Sequence, residues 1–275
     1  MIQQVKHGLN QLFADKLLNN HSDMMYAGVI SGNNNGTVWV DDVSNPTFCI
    51  AWSEFLEGFH FMGSGCSHMN NVDINTFVDN TATPFLRAKN KNTFEFSCDS
   101  REWIPSICEM FKQRKVDSSK QYVYKLAHTD NLHRNMANPK GYEILEINEN
   151  SINEILVDME NYEELQSDIK KAWGSVPIFL EMGKGFVAIQ KKIICSFAST
   201  HFLYKNTHSI GTKTFDTYKR NGLSSFLSMT LIDRLVNNGS EIWWDCMDSN
   251  IASQKTAEKV GLTFSHEYEI FWFDL

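Results

Sequence analysis

The sequence lacks paired cysteines. Its six, Cys49, Cys66, Cys98, Cys108, Cys195 and Cys246, are scattered with no CxxC or CxxH spacing. That argues against a structural zinc or a disulfide framework and reads as reduced thiols in a cytoplasmic protein. No apolar run approaches the roughly 20 residues that span a bilayer, so no membrane partner is expected. Met1 to Asn20 mixes Lys6, His7, Asp15 and Lys16 with scattered leucines, unlike a secretory leader. Basic charge is also scarce: 25 Lys and Arg against 33 Asp and Glu leave a formal charge of −8. A nucleic-acid partner would call for a clustered basic face, whereas a modest negative field weakly favours cationic partners such as amines. No low-complexity tract is present and no repeat stands out. Neither GxxxxGK[ST] nor GxGxxG occurs, which removes the P-loop and Rossmann readings.

What is present is an ordinary globular composition, 42% hydrophobic and 21% charged over 275 residues, long enough for two domains or one large one. The polar stretch Ala137-Asn138-Pro139-Lys140-Gly141 places a boundary there, giving domains 1–136 and 137–275. The first half reads as a small α/β unit: a helix near 9–19, strands at 37–41, 47–52, 59–62 and 122–126, and helical spacing from Trp103 to Phe111. Gly63-Ser64-Gly65 reads as a tight turn.

The second half is more regular. Strands are expected at 142–147, 185–190, 193–203, 208–215, 241–246 and 264–273, with a hairpin turning at Lys191-Lys192. Helices are expected at 151–159, 162–173 and 251–260. A further helix carries Leu223, Leu227, Leu231 and Leu235 at i+4 spacing and ends at Asn237-Asn238-Gly239. Strand, loop, helix, strand, helix, strand is an α/β order with a mixed sheet.

The most informative segment is Tyr218-Lys219-Arg220-Asn221-Gly222-Leu223-Ser224-Ser225, a basic, glycine-containing loop entering that helix. A helix N-terminus has unpaired N–H groups and a positive dipole end, so cations there call for a bound anion, most simply phosphate. Gly222 removes a Cβ from a close backbone approach, and Lys219 and Arg220 neutralise charge. The bland alternative is a surface turn with two solvated cations.

The surroundings favour the ligand. Lys219-Arg220-Asn221-Gly222-Leu223-Ser224 resembles the Arg/Gln-x-x-Gly-x-Gly/Ala acyl-CoA loop of the GNAT superfamily of N-acyltransferases, with Lys and Ser at its ends. Asn250, Ser253, Ala257, Gly261, Leu262 and Phe264 resemble that superfamily's second cofactor motif. The resemblance runs from about Tyr142 to the C-terminus and is nearest to a two-domain subgroup that includes zwittermicin-resistance acetyltransferases. It implies a C-terminal GNAT-like domain preceded by a smaller α/β domain, a candidate cover for the substrate, and acetyl-CoA as co-substrate without a metal. Backbone groups of Thr212, Lys213 and Thr214 would hold the pantetheine and acyl chain, and Asn250 and Ser253 would meet the pantetheine arm. Asn250 serves equally as an N-cap.

Many members place a glutamate base fourteen residues before the loop glycine, which here is His208. An imidazole can take that role, with His201 on the neighbouring strand as a second candidate. The family's acid tyrosine aligns with Ala257, leaving Tyr268 on the C-terminal strand, Ser253 or a water as a substitute donor. Glu267 and Glu269 read as solvated faces or as a hold on a cationic substrate. The expected activity is direct acetyl transfer from acetyl-CoA to the amine of a small molecule. Two other readings remain open: a non-catalytic acyl-CoA-binding or sensing protein, motivated by the missing glutamate and tyrosine, and transfer to a peptide or protein amine.

Overall fold

In a computed structural model the chain is described at all residues except 1, 6–10, 19–21, 64–70, 100, 130–131 and 133–134. Ser64, Gly65 and Cys66, with the ends of the expected first helix, lie outside the described residues. The fold is mixed α/β and divides into two compact units, residues 1–120 with 268–275, and residues 121–267. Among the described residues no helix is long and apolar enough to cross a membrane.

The first unit contains β1 (Gln3–Val5), α1 (Gln11–Leu17), α2 (Met24–Ile30), β2 (Gly36–Val40), β3 (Phe48–Ser53), β4 (Gly58–Gly63), α3 (Asn71–Phe77), α4 (Thr83–Ala88), β5 (Thr93–Cys98) and α5 (Ile104–Met110). Strands β1 to β4 pair antiparallel in sequence order, and β4 then pairs parallel with β5. Aromatic rings fill its core: Phe59 stacks on Phe94 at 4.7 Å, and Phe96 stacks on Phe271 at 5.4 Å. Buried rings of this kind supply most of a small unit's hydrophobic stabilisation. A polar network crosses the core too. The His60 ring is bonded to Ser97 Oγ at 2.6 Å and Asp99 Oδ1 at 3.0 Å and stacks on Tyr26, so its polar atoms are satisfied without water.

The second unit follows β6 (Asp117–Lys125), with β7 (Glu143–Glu146), α6 (Tyr162–Trp173), α7 (Val176–Met182), β8 (Gly185–Gln190), β9 (Ile193–Tyr204), β10 (Thr207–Thr214), α8 (Leu223–Asn237), β11 (Glu241–Met247), α9 (Ile251–Lys259) and β12 (Thr263–Asp274). Strands β7 to β10 are antiparallel neighbours, β10 is parallel to β11, and β11 pairs antiparallel with residues 121–125 of β6. The expected unit boundary at 136/137 thus differs from the compact division at 120/121, because Tyr122 to Lys125 are hydrogen-bonded into the second unit's sheet.

The two units share one topology. Each has four antiparallel strands, two helices after the first strand, a parallel fifth strand, and an antiparallel neighbour to that fifth strand. In the first unit that neighbour is Ile270–Asp274 of β12, and in the second it is β6. The sequence shows no repeat; the backbone does.

One expected helix shortens. Residues 151–159 form only a single wide turn at Ser151–Ile155. Ser151 and Asn148 cap each other reciprocally at 2.9 Å, and Glu160 then bonds to Lys192 and Ile194 of the sheet, drawing the chain out of helical geometry. The turn at Lys191-Lys192 forms as expected, with φ of +50° and +64°.

Candidate functional site

The site lies in the second unit, where β10 and β11 part. Their parallel pairing covers only Thr207–Ser209 against Glu241–Trp243, although both strands continue. A β-bulge lies opposite: Ser209 pairs with Phe202 and Ile210 with Thr200, so His201 is the extra residue on β9. Bulges re-aim strands and side chains beside active sites. The parting leaves a cleft of about 910 Å³ between the end of β10, the start of α8 and α9.

The sequence of α8 explains its position. Leu223, Leu227, Leu231 and Leu235 are all buried, seating the helix against β8, β9 and β10 with its N-terminus at the cleft. Gly222 is the N-cap at φ +78°, a left-handed conformation costing other residues about 1–2 kcal/mol. A Cβ there would meet no protein atom within 4 Å, so the conformation, not crowding, calls for glycine. No side chain caps the first turn and no acidic residue sits in it. Those N–H groups and the dipole therefore remain available to an anion.

Arg220 adopts φ +66° beside Gly222, is exposed, and has no carboxylate partner among the described residues. Lys219 differs from the expectation of an unneutralised cation: its Nζ lies 2.6 Å from Asp216 Oδ1. The hydrogen bond and charge of Lys219 hold the Asp216 carboxyl below its usual range.

Ten of the eleven residues expected to bind a cofactor line this cleft: Thr212, Lys213, Thr214, Lys219, Arg220, Gly222, Leu223, Ser224, Asn250 and Ser253. The exception, Asn221, donates from Nδ2 to the Tyr218 carbonyl and so shapes the loop. A chain of hydroxyls fastens the cleft floor: Ser224 to Thr214 at 2.9 Å, Thr214 to Ser196 at 2.7 Å, and Ser196 to the Lys213 carbonyl at 2.8 Å. Asn250 caps α9 by accepting from the Ser253 N–H at 3.1 Å, and Ser253 Oγ accepts from Trp244 Nε1 at 3.0 Å.

The catalytic candidates are placed differently. His208 is 7% exposed, is not among the residues lining the cleft, and its Nδ1 has no hydrogen-bond partner. Burial, and then the Lys184 ammonium, lower its pKa to about 4. The ring is neutral at pH 7 and too weakly basic to compete for an ammonium proton. Tyr268 belongs to the first compact unit and is not a cleft-lining residue. Cys246 is buried, and burial pushes its thiol pKa up, so it remains a protonated, inert thiol.

With this geometry in view, comparison with known proteins is decisive for the family. The GNAT acetyltransferase family matches residues 15–271. The chain belongs to the GNAT acetyltransferase family. An "uncharacterized N-acetyltransferase" of Bacillus subtilis, YdfB, is 22% identical over 237 residues, covering 86% of this chain and 85% of its own. Among solved structures, a GCN5-related N-acetyltransferase-like protein of Streptococcus suis superposes with a TM-score of 0.66 at 20% identity, over 94% of this chain and 96% of its own. A tandem GNAT protein from the clavulanic acid biosynthesis pathway superposes with a TM-score of 0.58 at 10% identity, over 100% and 98%. These likenesses show the GNAT fold over the whole chain, first unit included.

One polar pair has no signature in the sequence motifs. Asp168 on α6 is bonded to His201 Nε2 at 2.9 Å, and the sequence signal was a histidine pointed out without its partner, 33 residues earlier. Only the folded chain brings them together.

Proposed function

We propose that this GNAT protein transfers the acetyl group of acetyl-CoA directly to the amine of a small molecule, with the co-substrate held in the second unit. The observation that carries the reading is the uncapped N-terminus of α8 beside Arg220 and left-handed Gly222, opening on a cleft that continues along β10. A diphosphate fits the first feature by charge and by N–H donors, and an extended pantetheine fits the second. Thr212, Lys213 and Thr214 would meet that arm from one side, with Asn250 and Ser253 opposite; Lys219, Arg220, Asn221, Gly222, Leu223 and Ser224 would surround the phosphates. Catalytic roles for His208 and Tyr268 would need both groups to reach the cleft. No metal is required, because the amine and the thioester react once the amine is neutral. The overall negative charge suits a cationic amine. The likeness to zwittermicin-resistance acetyltransferases rests on the loop and second-motif residues alone.

Direct transfer is supported by Cys246, whose buried, protonated thiol offers no activated nucleophile for an acyl-enzyme. The test is thermal shift with acetyl-CoA against ATP and NAD, followed by thiol release with a panel of amines. Stabilisation by acetyl-CoA alone, with amine-dependent release of CoA, supports the reading. Stabilisation by ATP or NAD but not by CoA derivatives overturns it, and tight binding without release for any amine points to an acyl-CoA sensor instead.

A further inference from the structure

We propose that Lys259, on the α9 wall of the cleft, grips the 3′-phosphate of the bound coenzyme and so selects free CoA thioesters over donors that lack this group. The inference rests on the acetyl-CoA reading above and deepens it at the nucleotide end.

Acetyl-CoA carries two separate anionic groups, a diphosphate in mid-chain and a monophosphate on the ribose 3′ carbon. The first is matched by the uncapped start of α8 with Gly222 and Arg220. A second anion calls for a cation on another part of the lining. Cations outnumber acids there, with Lys213, Lys219, Arg220 and Lys259 against Glu164 and Asp216, although the whole chain has a formal charge of −8. Lys213 is held to α6 by Glu164, on the strand set against the pantetheine arm. Lys219 is held by Asp216 and shares the diphosphate loop with Arg220. Among the lining cations, only Lys259 belongs to α9.

Helix geometry aims it at the cleft. Ala252, Thr256 and Lys259 line the cleft at i, i+4 and i+7, one face of a helix, so α9 borders it for about 10 Å. Asn250 and Ser253, set against the pantetheine arm, sit at the N-terminal end of α9; Thr256 and Lys259 continue the wall beyond them. Lys259 is exposed, and an ammonium has three N–H donors, so it can keep a neighbour on the protein and still meet a phosphate. Thr256 Oγ1 donates to the Ala252 carbonyl at 2.8 Å, which leaves its lone pairs for a hydroxyl such as the ribose 2′-OH rather than for a phosphate.

Lys259 is also the last residue of α9, where unpaired carbonyls and the negative end of the dipole repel an anion. A phosphate stays at this end only if a cation holds it, so removing the ammonium removes the subsite. A lysine that merely offset the dipole would leave ligand preference untouched. An acyl group on a carrier-protein phosphopantetheine has neither adenosine nor 3′-phosphate and offers Lys259 nothing. The donor class selected is therefore the free CoA thioester.

Calorimetric titration with acetyl-CoA and with acetyl-dephospho-CoA, which differs only in the 3′-phosphate, tests this. The wild type should bind acetyl-CoA about tenfold or more tightly, the worth of one charge-assisted hydrogen bond. Lys259→Ala should reduce that preference to about threefold or less, and Lys259→Arg should keep it. Arg220→Ala should weaken both ligands and leave their ratio in place. Equal affinity of the wild type for the two ligands, or a preference that survives in Lys259→Ala or vanishes in Lys219→Ala instead, overturns the assignment while leaving the cofactor reading intact. No binding of either ligand by the wild type would instead overturn the cofactor reading beneath it.

Discussion

At the scale of single residues, burial sets the behaviour of His208. His208 titrates near 4 in the native protein against an ordinary 6.5 in an unfolded chain. Between those values the unfolded state holds more protons, so acidification from pH 6.5 toward 4 destabilises the fold. At 1.36 kcal/mol per unit the effect is capped at about 3 kcal/mol. His208→Leu should flatten that part of the pH–stability curve in urea denaturation; equal slopes for variant and wild type would contradict the burial argument. Arg220 has no carboxylate partner among the described residues, so Arg220→Ala should weaken acetyl-CoA about tenfold or more, the worth of one charge-assisted hydrogen bond. Lys219→Ala should weaken it less, since Asp216 already neutralises that ammonium in a solvent-exposed pair. Calorimetric titration of both variants decides the order.

At the scale of elements, α8 links sequence pattern to site. Its leucine stripe was legible because a helix with one buried face must repeat apolar residues every three to four positions. Leu227→Ala should cost about 2–5 kcal/mol of stability and lower the thermal midpoint, because a fully buried side chain is replaced by a cavity. The same logic explains what could not be read. Helix α2 is buried at every residue, so Met24 to Ile30 carry no alternation, and β5 was passed over entirely. The basic loop at 218–225 was legible because backbone conformation dictates Gly222 and charge dictates Arg220. The His201–Asp168 pair was not, because a bulge on β9 and the docking of α6 join residues with no shared spacing. His208, fourteen residues before Gly222, lies on the expected strand, but strand position does not say which side chain reaches the cleft.

At the scale of the molecule, the two units repeat one topology without a repeat legible in the sequence. Each copy is completed by a strand from the other half of the chain. Deleting residues 268–275 should therefore unfold the first unit selectively, as the row Ile270–Asp274 is its only neighbour on that side of β5 among the described strands. Limited proteolysis would show early cuts before residue 120, and uniform digestion would contradict this. Only the second copy's described residues join a basic loop to an uncapped helix. The central claim, that this cleft holds the nucleotide diphosphate of acetyl-CoA, is tested most directly by calorimetric titration with acetyl-CoA and with S-acetylpantetheine, which lacks that diphosphate. The account predicts acetyl-CoA to bind at least tenfold tighter, with the difference shrinking in Arg220→Ala. Equal affinity for the two ligands, or a difference untouched by Arg220→Ala, would contradict it.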